Sequence, residues 1–206
     1  MVIAKDLREE ILRKLKTEPL VRISASEAEY LELANNFPYK IEYHESEIYT
    51  MGLASLIHEL ITGMIITILN NMYSSNENYL VLGSNSGVHI PKFEGGFYMP
   101  DVMVIKDNPA FKGNSKSIVT NPLVIVEVLS PSTTQFDMEA KLAEYKHLDS
   151  LQQVIFVNQK RVEVSLFTRS EKPNTWINED FYNLTDSFLI DGNPISLEAI
   201  YKKVKF

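Results

Sequence analysis

Cysteine is absent from this 206-residue sequence. Its absence excludes disulfides, thiolate metal sites and cysteine nucleophiles, and it favours a reducing compartment. Long apolar runs are absent as well, since no stretch approaches the roughly 20 apolar residues that cross a bilayer. The N-terminal segment carries charged residues where a signal peptide needs an apolar run. We therefore expect a cytoplasmic protein with no membrane partner.

Basic residues are scarce relative to acidic ones. The chain has 20 Lys and Arg against 27 Asp and Glu, which gives a net charge of −7. A protein that coats nucleic acid owes its affinity to many lysine and arginine contacts with phosphates, so this balance argues against that class. It is compatible with a hydrolase that holds cations with clustered carboxylates and touches phosphate through the metal and a few local bases.

The composition otherwise fits one folded domain of ordinary size. Hydrophobic residues make up 45% and charged residues 23% of the chain, which is close to the soluble average and far from disordered compositions. Apolar residues at helical spacing over 5–16 predict a helix that packs on the domain or on a partner. We expect residues 1–20 to form a helical appendage and residues 21–206 to form the main domain.

Strand and helix signals alternate along the main domain. Alternating polar and apolar residues predict one β-hairpin over 39–51 and another over 79–90. Between them, helical spacing of apolar residues predicts a long, largely buried helix over 55–73. The nearly unbroken apolar run 123–129 is typical of a strand that is covered on both faces and lies at the centre of a sheet. The helix predicted over 135–147 leads to a further strand, which suggests a crossover onto the same sheet.

Glu127 is the anomaly in this apolar strand. A charge buried there is costly unless it is paired, hydrogen-bonded or bound to a metal, and a structural salt bridge would satisfy it too. Asp101 begins another predicted core strand twenty-six positions earlier, and the loop between them is long enough to bring the strands side by side. Two carboxylates on neighbouring strands can share one cation, and magnesium and manganese favour such oxygen ligands.

Lys141 lies on the helix predicted after that strand, on one face with Asp137 and Tyr145 by spacings of four. That face can point back at the two carboxylates. An ammonium beside a metal-bound water can orient the nucleophile or offset the charge that develops on a phosphate. Taken alone, a lysine at such a position can equally be a solvated helix residue.

These residues form an ordered set of motifs. The set comprises Pro100-Asp101-Val102-Met103-Val104, the segment from Pro122 to Thr133, and Asp137, Lys141 and Tyr145, together with Ile41-Glu42-Tyr43, Glu47-Ile48, Ser55 and His58 upstream. The array resembles the Uma-two family of restriction endonucleases, which belongs to the PD-(D/E)xK nuclease superfamily. The resemblance covers roughly residues 22–170.

The resemblance implies both a fold and a metal site. The fold class is α/β (α+β), a restriction-endonuclease-like mixed central β-sheet flanked by helices. The metal is Mg²⁺ or Mn²⁺, with Asp101 and Glu127 as ligands and the Val128 carbonyl as a third.

The superfamily's lysine normally lies two residues after the glutamate, where this chain has Leu129. Within the Uma-two family the lysine lies on the following helix instead. This selects Lys141 and places Tyr145 beside it as an orienting hydroxyl.

Two upstream residues, Glu42 and His58, match positions where the superfamily often adds an acidic or polar group to the metal site. Glu59 is a rival on the same predicted helix as His58. The alternatives are a hairpin carboxylate and a histidine satisfied within its helix. Ser46 stands where the family usually has a glycine in the hairpin turn, which leaves the turn type open.

The favoured hypothesis is metal-dependent hydrolysis of a phosphodiester in DNA. In this hypothesis Asp101 and Glu127 hold the ion, Lys141 places the attacking water and Tyr145 assists. The alternative is a non-catalytic nucleic-acid-binding or assembly module on the same fold, which the displaced lysine and the acidic charge favour. DNA is the predicted partner. A homodimer is also predicted, because nucleases that cut both strands often work as dimers and the N-terminal helix offers an apolar stripe.

Overall fold

The computed structural model describes residues 2–34, 37–93, 95–131 and 134–206, with side chains described from residue 6 onward. Ser132 and Thr133, which end the matching segment that starts at Pro122, lie outside the described residues.

The helices are, in chain order, α1 (Val2–Lys14), α2 (Glu27–Ala34), α3 (Leu56–Tyr73), α4 (Thr134–Phe136), α5 (Leu142–Tyr145) and α6 (Leu197–Tyr201). A π-helical turn, Asp137–Lys141, joins α4 to α5. The long helix predicted over 55–73 is confirmed as α3, and the Ser55 side chain caps it by accepting from the His58 N–H. Within the described ranges, no helix is long and apolar enough to cross a membrane.

The strands are β1 (Leu20–Ser24), β2 (Ile41–His44), β3 (Glu47–Met51), β4 (Tyr79–Gly83), β5 (Gly87–His89), β6 (Phe97–Tyr98), β7 (Val102–Lys106), β8 (Ile118–Val119), β9 (Pro122–Leu129), β10 (Gln153–Asn158), β11 (Val164–Arg169), β12 (Trp176–Phe181), β13 (Ser187–Ile190) and β14 (Asn193–Ser196). In the described part of the chain they form two six-stranded sheets, ordered β1-β3-β2-β6-β5-β8 and β12-β11-β10-β9-β7-β4, and the hairpin β13–β14.

Both large sheets are mixed and are flanked by helices. In the described part of the chain each sheet has one parallel pair, β5–β8 in the first and β9–β10 in the second, and its other pairs are antiparallel. The predicted α/β (α+β) class with mixed sheet and flanking helices is confirmed, and the strands divide between two sheets. The predicted crossover is confirmed as well, because β9 and β10 run parallel with the helical segment between them.

Strand β9 lies inside the second sheet and is covered on both faces, as predicted. Successive side chains of a strand point to opposite faces. Val124, Val126 and Val128 pack with α3 and α6 on one face, whereas Ile125 and Leu129 pack in a second cluster on the other. By this alternation Glu127 points to the second face, toward the helical segment that follows β9.

The hairpin predicted over 39–51 is confirmed as β2 and β3, which pair in the register Ile41↔Thr50. The hairpin predicted over 79–90 is wrong. Its first strand, β4, pairs with β7 in the second sheet, whereas β5 pairs with β6 and β8 in the first. The turn residues between them therefore carry the chain from one sheet to the other. Gly and Ser signals mark a change of direction but do not determine which strand becomes the neighbour.

Helix α1 packs on its own chain. Ile11 is fully buried in a cluster with residues of α2 and β2, including Tyr30, Leu33 and Ile41, and Leu7 and Leu15 pack against that cluster. The apolar stripe that the sequence offered to the domain or to a partner is thus covered by the domain. The division at residue 20 and the homodimer stay predictions.

Ser46 lies in the two-residue turn between β2 and β3. Glu45 and Ser46 both have positive φ, 47° and 62°, as a two-residue type I′ turn requires. Since a side chain is strained in this region, Ser46→Gly should stabilise the fold by about 0.5–1 kcal/mol in chemical denaturation. The matched control is Ser187→Gly in β13, which should destabilise, because glycine there only adds entropy to the unfolded chain. A loss of stability in Ser46→Gly would contradict the strained-turn interpretation.

Candidate active site

Glu127 is almost completely buried, at 2% exposure, on the inner face of β9. Its Oε1 accepts a hydrogen bond from the Tyr145 hydroxyl at 2.7 Å and lies 3.4 Å from the Lys141 Nζ. Burial raises the pKa of Glu127 to about 8, and the nearby Lys141 ammonium offsets only part of that effect. Burial also raises the pKa of Tyr145 well above its usual range, so its hydroxyl keeps its proton and acts as a donor.

Asp101 lies beside Glu127, just before β7. Strands β7 and β9 are antiparallel with Val102 opposite Val126, so one further step places Asp101 opposite Glu127 on the same face of the sheet. The Val128 N–H donates to Asp101 Oδ2 at 2.8 Å and holds the carboxylate at this position. The predicted pairing of the two carboxylates on neighbouring strands therefore follows from the register.

Two cationic or polar side chains contact Asp101. Lys40 Nζ lies 3.1 Å from Oδ1, and His58 Nε2 lies 3.1 Å from Oδ2. Burial would raise the pKa of Asp101, but the Lys40 ammonium and the hydrogen bonds from His58 and the Val128 N–H outweigh it and hold the pKa well below its usual range. Asp101 is thus an ionised carboxylate although it is buried.

Lys141 is as buried as Glu127, with 1% exposure. Its ammonium lies 2.9 Å from Glu42 Oε1, 2.9 Å from Asp137 Oδ1 and 3.4 Å from Glu127 Oε1. Burial lowers the pKa of Lys141, but the three carboxylates outweigh that effect and keep it well above its usual range. A lysine ammonium has three N–H donors, and three carboxylates surround this one.

The π-helical turn supplies Asp137 and Lys141 to the site. Its C-terminal boundary is marked by the Leu142 N–H, which bonds to the Asp137 carbonyl five residues earlier. The sequence predicts a regular helix over 135–147, and the structure corrects this to α4, a π turn and α5. Such bulges widen one turn of a helix and are frequent at functional sites. Here the widened turn buries both charged side chains against β9.

Glu42 reaches the same cluster from β2 of the first sheet and is fully buried. Its Oε1 accepts from the Met99 N–H at 2.9 Å as well as from Lys141. Its Oε2 is buried and has no hydrogen-bond partner among the residues that the structure describes. A buried carboxylate oxygen without a donor is costly, and it leaves acceptor capacity inside the site.

His58 and Glu59 differ in where they point from the first turn of α3. His58 contacts Asp101, whereas the Glu59 side chain is 64% exposed and lies 3.6 Å from the His58 Nδ1. Of these rivals, His58 is the one that joins the carboxylate pair.

Sequence reasoning missed Lys40. Its side chain is 22% exposed, compared with 2% for Lys141, and it lines the cleft above Asp101. The available signal was its spacing of two from Glu42, because residues two apart on an extended segment share a face.

The site holds more acid than base. Four buried carboxylates face two ammonium groups, namely Asp101, Glu127, Glu42 and Asp137 against Lys40 and Lys141. Four minus two leaves an excess of two negative charges when all of them are ionised. One divalent cation carries that charge, and a proton on Glu127 together with a protonated His58 would also balance it.

The donors fit a hard divalent cation that keeps part of its water shell. Asp101, Glu127 and Val128 line one cleft of about 430 Å³. Among the described residues, no group of three or more His, Asp or Glu side chains is placed to hold a metal by itself. Mg²⁺ rarely needs such a group, since it binds through one or two carboxylates with waters and a substrate phosphate completing the shell.

Known proteins are similar to this chain in sequence and in fold. "Uncharacterized protein sll1609" from Synechocystis sp. is 35% identical over 132 residues, which cover 64% of this chain and 73% of that protein. "Uncharacterized protein slr1290" from the same organism is 29% identical over 184 residues, 88% and 93% of the two chains. A crystal structure from Anabaena variabilis, described as "a putative nuclease belonging to DUF820", has a TM-score of 0.66 at 16% identity and covers 85% of this chain and 96% of that one. At this identity the likeness shows the fold.

A family model also matches most of the chain. The Uma2 model, described as "Putative restriction endonuclease", matches residues 27–199. This match confirms the family that the motifs indicate, and it includes β2, α3, β9 and the helical segment that build the site. The chain belongs to the Uma2 family.

Proposed function

We propose that this protein is an endonuclease that hydrolyses phosphodiester bonds in DNA with the help of Mg²⁺ or Mn²⁺, in the cytoplasm. One observation carries the proposal: the buried carboxylates of Asp101 and Glu127 lie opposite one another at the cleft, in a cluster of four buried carboxylates and two ammonium groups. The description of the family as restriction endonucleases supports the choice of DNA as substrate.

In this proposal Asp101, Glu127 and the Val128 carbonyl hold the ion. When bound, such an ion stabilises charge on the phosphate and lowers the pKa of a bound water. Glu42 and His58 act one step further out. His58 holds Asp101 in place, and Glu42 holds Lys141, as their contacts at 3.1 and 2.9 Å indicate.

The two lysines take different roles. Lys141 lines the cleft but is only 1% exposed, and three carboxylates surround its ammonium, so it keeps these side chains in fixed positions. The hypothesis drawn from the sequence gives Lys141 the placing of the attacking water, and the geometry favours moving that role to Lys40. Its partly exposed ammonium borders the cleft and can bind a phosphate oxygen while it contacts Asp101. Tyr145 fixes the Glu127 oxygen that faces Lys141.

Metal binding is tested by thermal melting. An ion bound only by the native protein stabilises it by about 2.7 kcal/mol at one hundred times its Kd, which raises the Tm of a chain of this size by roughly 5–10 °C. We expect this rise in wild type with Mg²⁺ or Mn²⁺ and its loss in Asp101→Asn. The control is Asp180→Asn, an exposed β12 residue that should keep the full response.

Activity is measured on plasmid and on single-stranded DNA with each ion. The proposed function is contradicted if Mg²⁺ and Mn²⁺ do not raise the Tm of wild type and wild type does not nick plasmid.

A second candidate is a non-catalytic nucleic-acid-binding or assembly module on the same fold. The observation that favours it is the state of Asp101, whose two oxygens already contact Lys40 and His58. Under this alternative the ammonium permanently occupies the place of a cation. DNA binding without cleavage, together with a metal-independent Tm, is the result that selects it.

A further inference from the structure

The cleft of the candidate active site continues into a second groove. This groove has a volume of about 650 Å³ and runs between the segment from Phe37 to Ile41 and the loop 112–118. Pro38, Tyr39 and Lys40 line both cavities. The two cavities therefore meet at the lysine that contacts Asp101.

The charge of this groove differs from that of the chain. Lys40 and Lys112 lie in its wall, and no Asp or Glu is among the described residues that line it. The whole chain has a net charge of −7, and the adjoining cleft contains several carboxylates. A groove that is locally positive and opens onto an acidic site suits a ligand whose phosphates run along it.

An aromatic side chain stands at the junction of the two cavities. Tyr39 is 36% exposed, and its ring rests edge-on against Phe37 at 6.0 Å between centroids. The ring thus has one aromatic neighbour, and its side chain stays partly exposed where it lines both cavities. Aromatic rings placed along a positively charged groove are the means by which proteins bind unpaired bases.

The opposite wall is a hydrogen-bonded turn. The Lys112 N–H donates to the Ile118 carbonyl at 2.9 Å, and the Ile118 N–H donates to Ser115 Oγ at 2.9 Å. Lys112 itself is half-buried, with its Nζ 3.4 Å from His89 Nε2. The wall is therefore fixed by its own bonds and holds Lys112 at a defined place beside the groove.

We propose that this groove binds an unpaired stretch of a DNA strand and leads it to the active site. A base stacks on Tyr39, and the phosphates on either side of it contact Lys40 and Lys112. A duplex is a poorer fit, because duplex binding depends on many basic contacts and the described residues that line this groove include two lysines, one on each wall. The direction of the strand toward Asp101 rests on the proposed function, whereas strand binding itself does not.

Binding is measured by fluorescence anisotropy in EDTA, so that no cleavage occurs. The probe is a labelled single-stranded deoxyoligonucleotide of roughly 12 nucleotides, within the range that single-strand sites cover. Because loss of one base stack weakens such complexes, Tyr39→Ala should raise the Kd about tenfold, and Tyr39→Phe should keep wild-type affinity. The control is Tyr182→Ala, which removes an exposed tyrosine that does not line the groove and should leave the Kd unchanged.

The contribution of Lys112 is read from salt dependence. Lys112→Gln should weaken binding and reduce the slope of log K against log salt by about 0.7, the value of one phosphate contact on a single strand. Lys203→Gln, at an exposed lysine, should change neither quantity.

The groove proposal is overturned if Tyr39→Ala and Lys112→Gln both bind like wild type, or if wild type prefers a duplex of the same sequence. Its failure is separable from failure of the proposed hydrolysis. Strand binding that depends on Tyr39 without any metal-dependent cleavage contradicts the proposed hydrolysis and supports the proposed groove. Plasmid cleavage that is insensitive to Tyr39→Ala, with unchanged strand binding, contradicts the proposed groove and supports the proposed hydrolysis.

Discussion

Glu127→Gln should greatly lower the rate of hydrolysis and at the same time make the fold more stable at alkaline pH. The loss of activity should reach about three orders of magnitude, because the ion contributes several kcal/mol and each 1.36 kcal/mol is tenfold in rate. The gain in stability follows from burial. A carboxyl whose pKa rises from the ordinary value of about 4.3 to about 8 on folding lowers stability as the pH rises through that window. Glutamine is uncharged throughout and avoids this loss, and its side-chain oxygen can still accept from Tyr145.

The measurement is urea denaturation at several values of pH, alongside the plasmid assay. Wild type should lose stability relative to Glu127→Gln between these two pKa values, and the two proteins should converge at acid pH. The control is Glu198→Gln, an exposed residue in the first turn of α6, which should change stability by no more than about 0.5 kcal/mol. A glutamine variant that is less stable than wild type at alkaline pH would show that Glu127 is ionised and firmly paired. It would contradict the inference that burying this carboxylate lowers the stability of the fold.

Lys141→Met should destabilise the protein by about 3–5 kcal/mol at neutral pH, the usual cost of removing one member of a buried ion pair. Methionine fills a similar volume, but Glu42, Asp137 and Glu127 lose their shared cation. Without it the pKa of Glu127 should rise further, because the Lys141 ammonium is the main effect that lowers it. Since a raised carboxyl pKa costs stability above the unfolded value, the deficit should shrink as the pH falls and protons replace the ammonium.

This deficit is read from denaturation midpoints at acid and neutral pH. Lys203→Met, at an exposed position, should fall within about 0.5 kcal/mol of wild type at both. A deficit in Lys141→Met that is equally large at acid pH would indicate lost packing instead of uncompensated charge. A negligible deficit would mean that the three carboxylates do not depend on this lysine.

The carboxylate pair could be predicted from the sequence because it depends on strong, local signals. The apolar run around Glu127 admits little except a buried strand, and β9 is that strand. Asp101 opens the next core strand, and antiparallel pairing brings the two side chains to one face. The hairpin of β2 and β3, the helix α3 and the crossover to β10 followed from equally regular patterns. The family was indicated by the spacing of these same residues.

The remaining features depend on tertiary contacts. The π turn leaves little mark on periodicity, because one widened turn shifts the side chains that follow by less than the uncertainty of a helix boundary. Lys40 precedes β2, and only the docking of the two sheets brings its ammonium to Asp101. The separation of β4 from β5 was missed for a similar reason: turn residues are the same whether the strands on each side pair with one another or with different sheets. The roles of the site residues stay predictions.

Lys141 has a consequence beyond charge. It bonds Glu42, which belongs to one sheet, and contacts Glu127, which belongs to the other. One ammonium therefore holds the two sheets together at the floor of the cleft, and separating the sheets would leave buried charges without a partner. We therefore expect the floor of the cleft to keep its shape when substrate binds, so that it acts as a fixed surface against which the reacting phosphate is positioned.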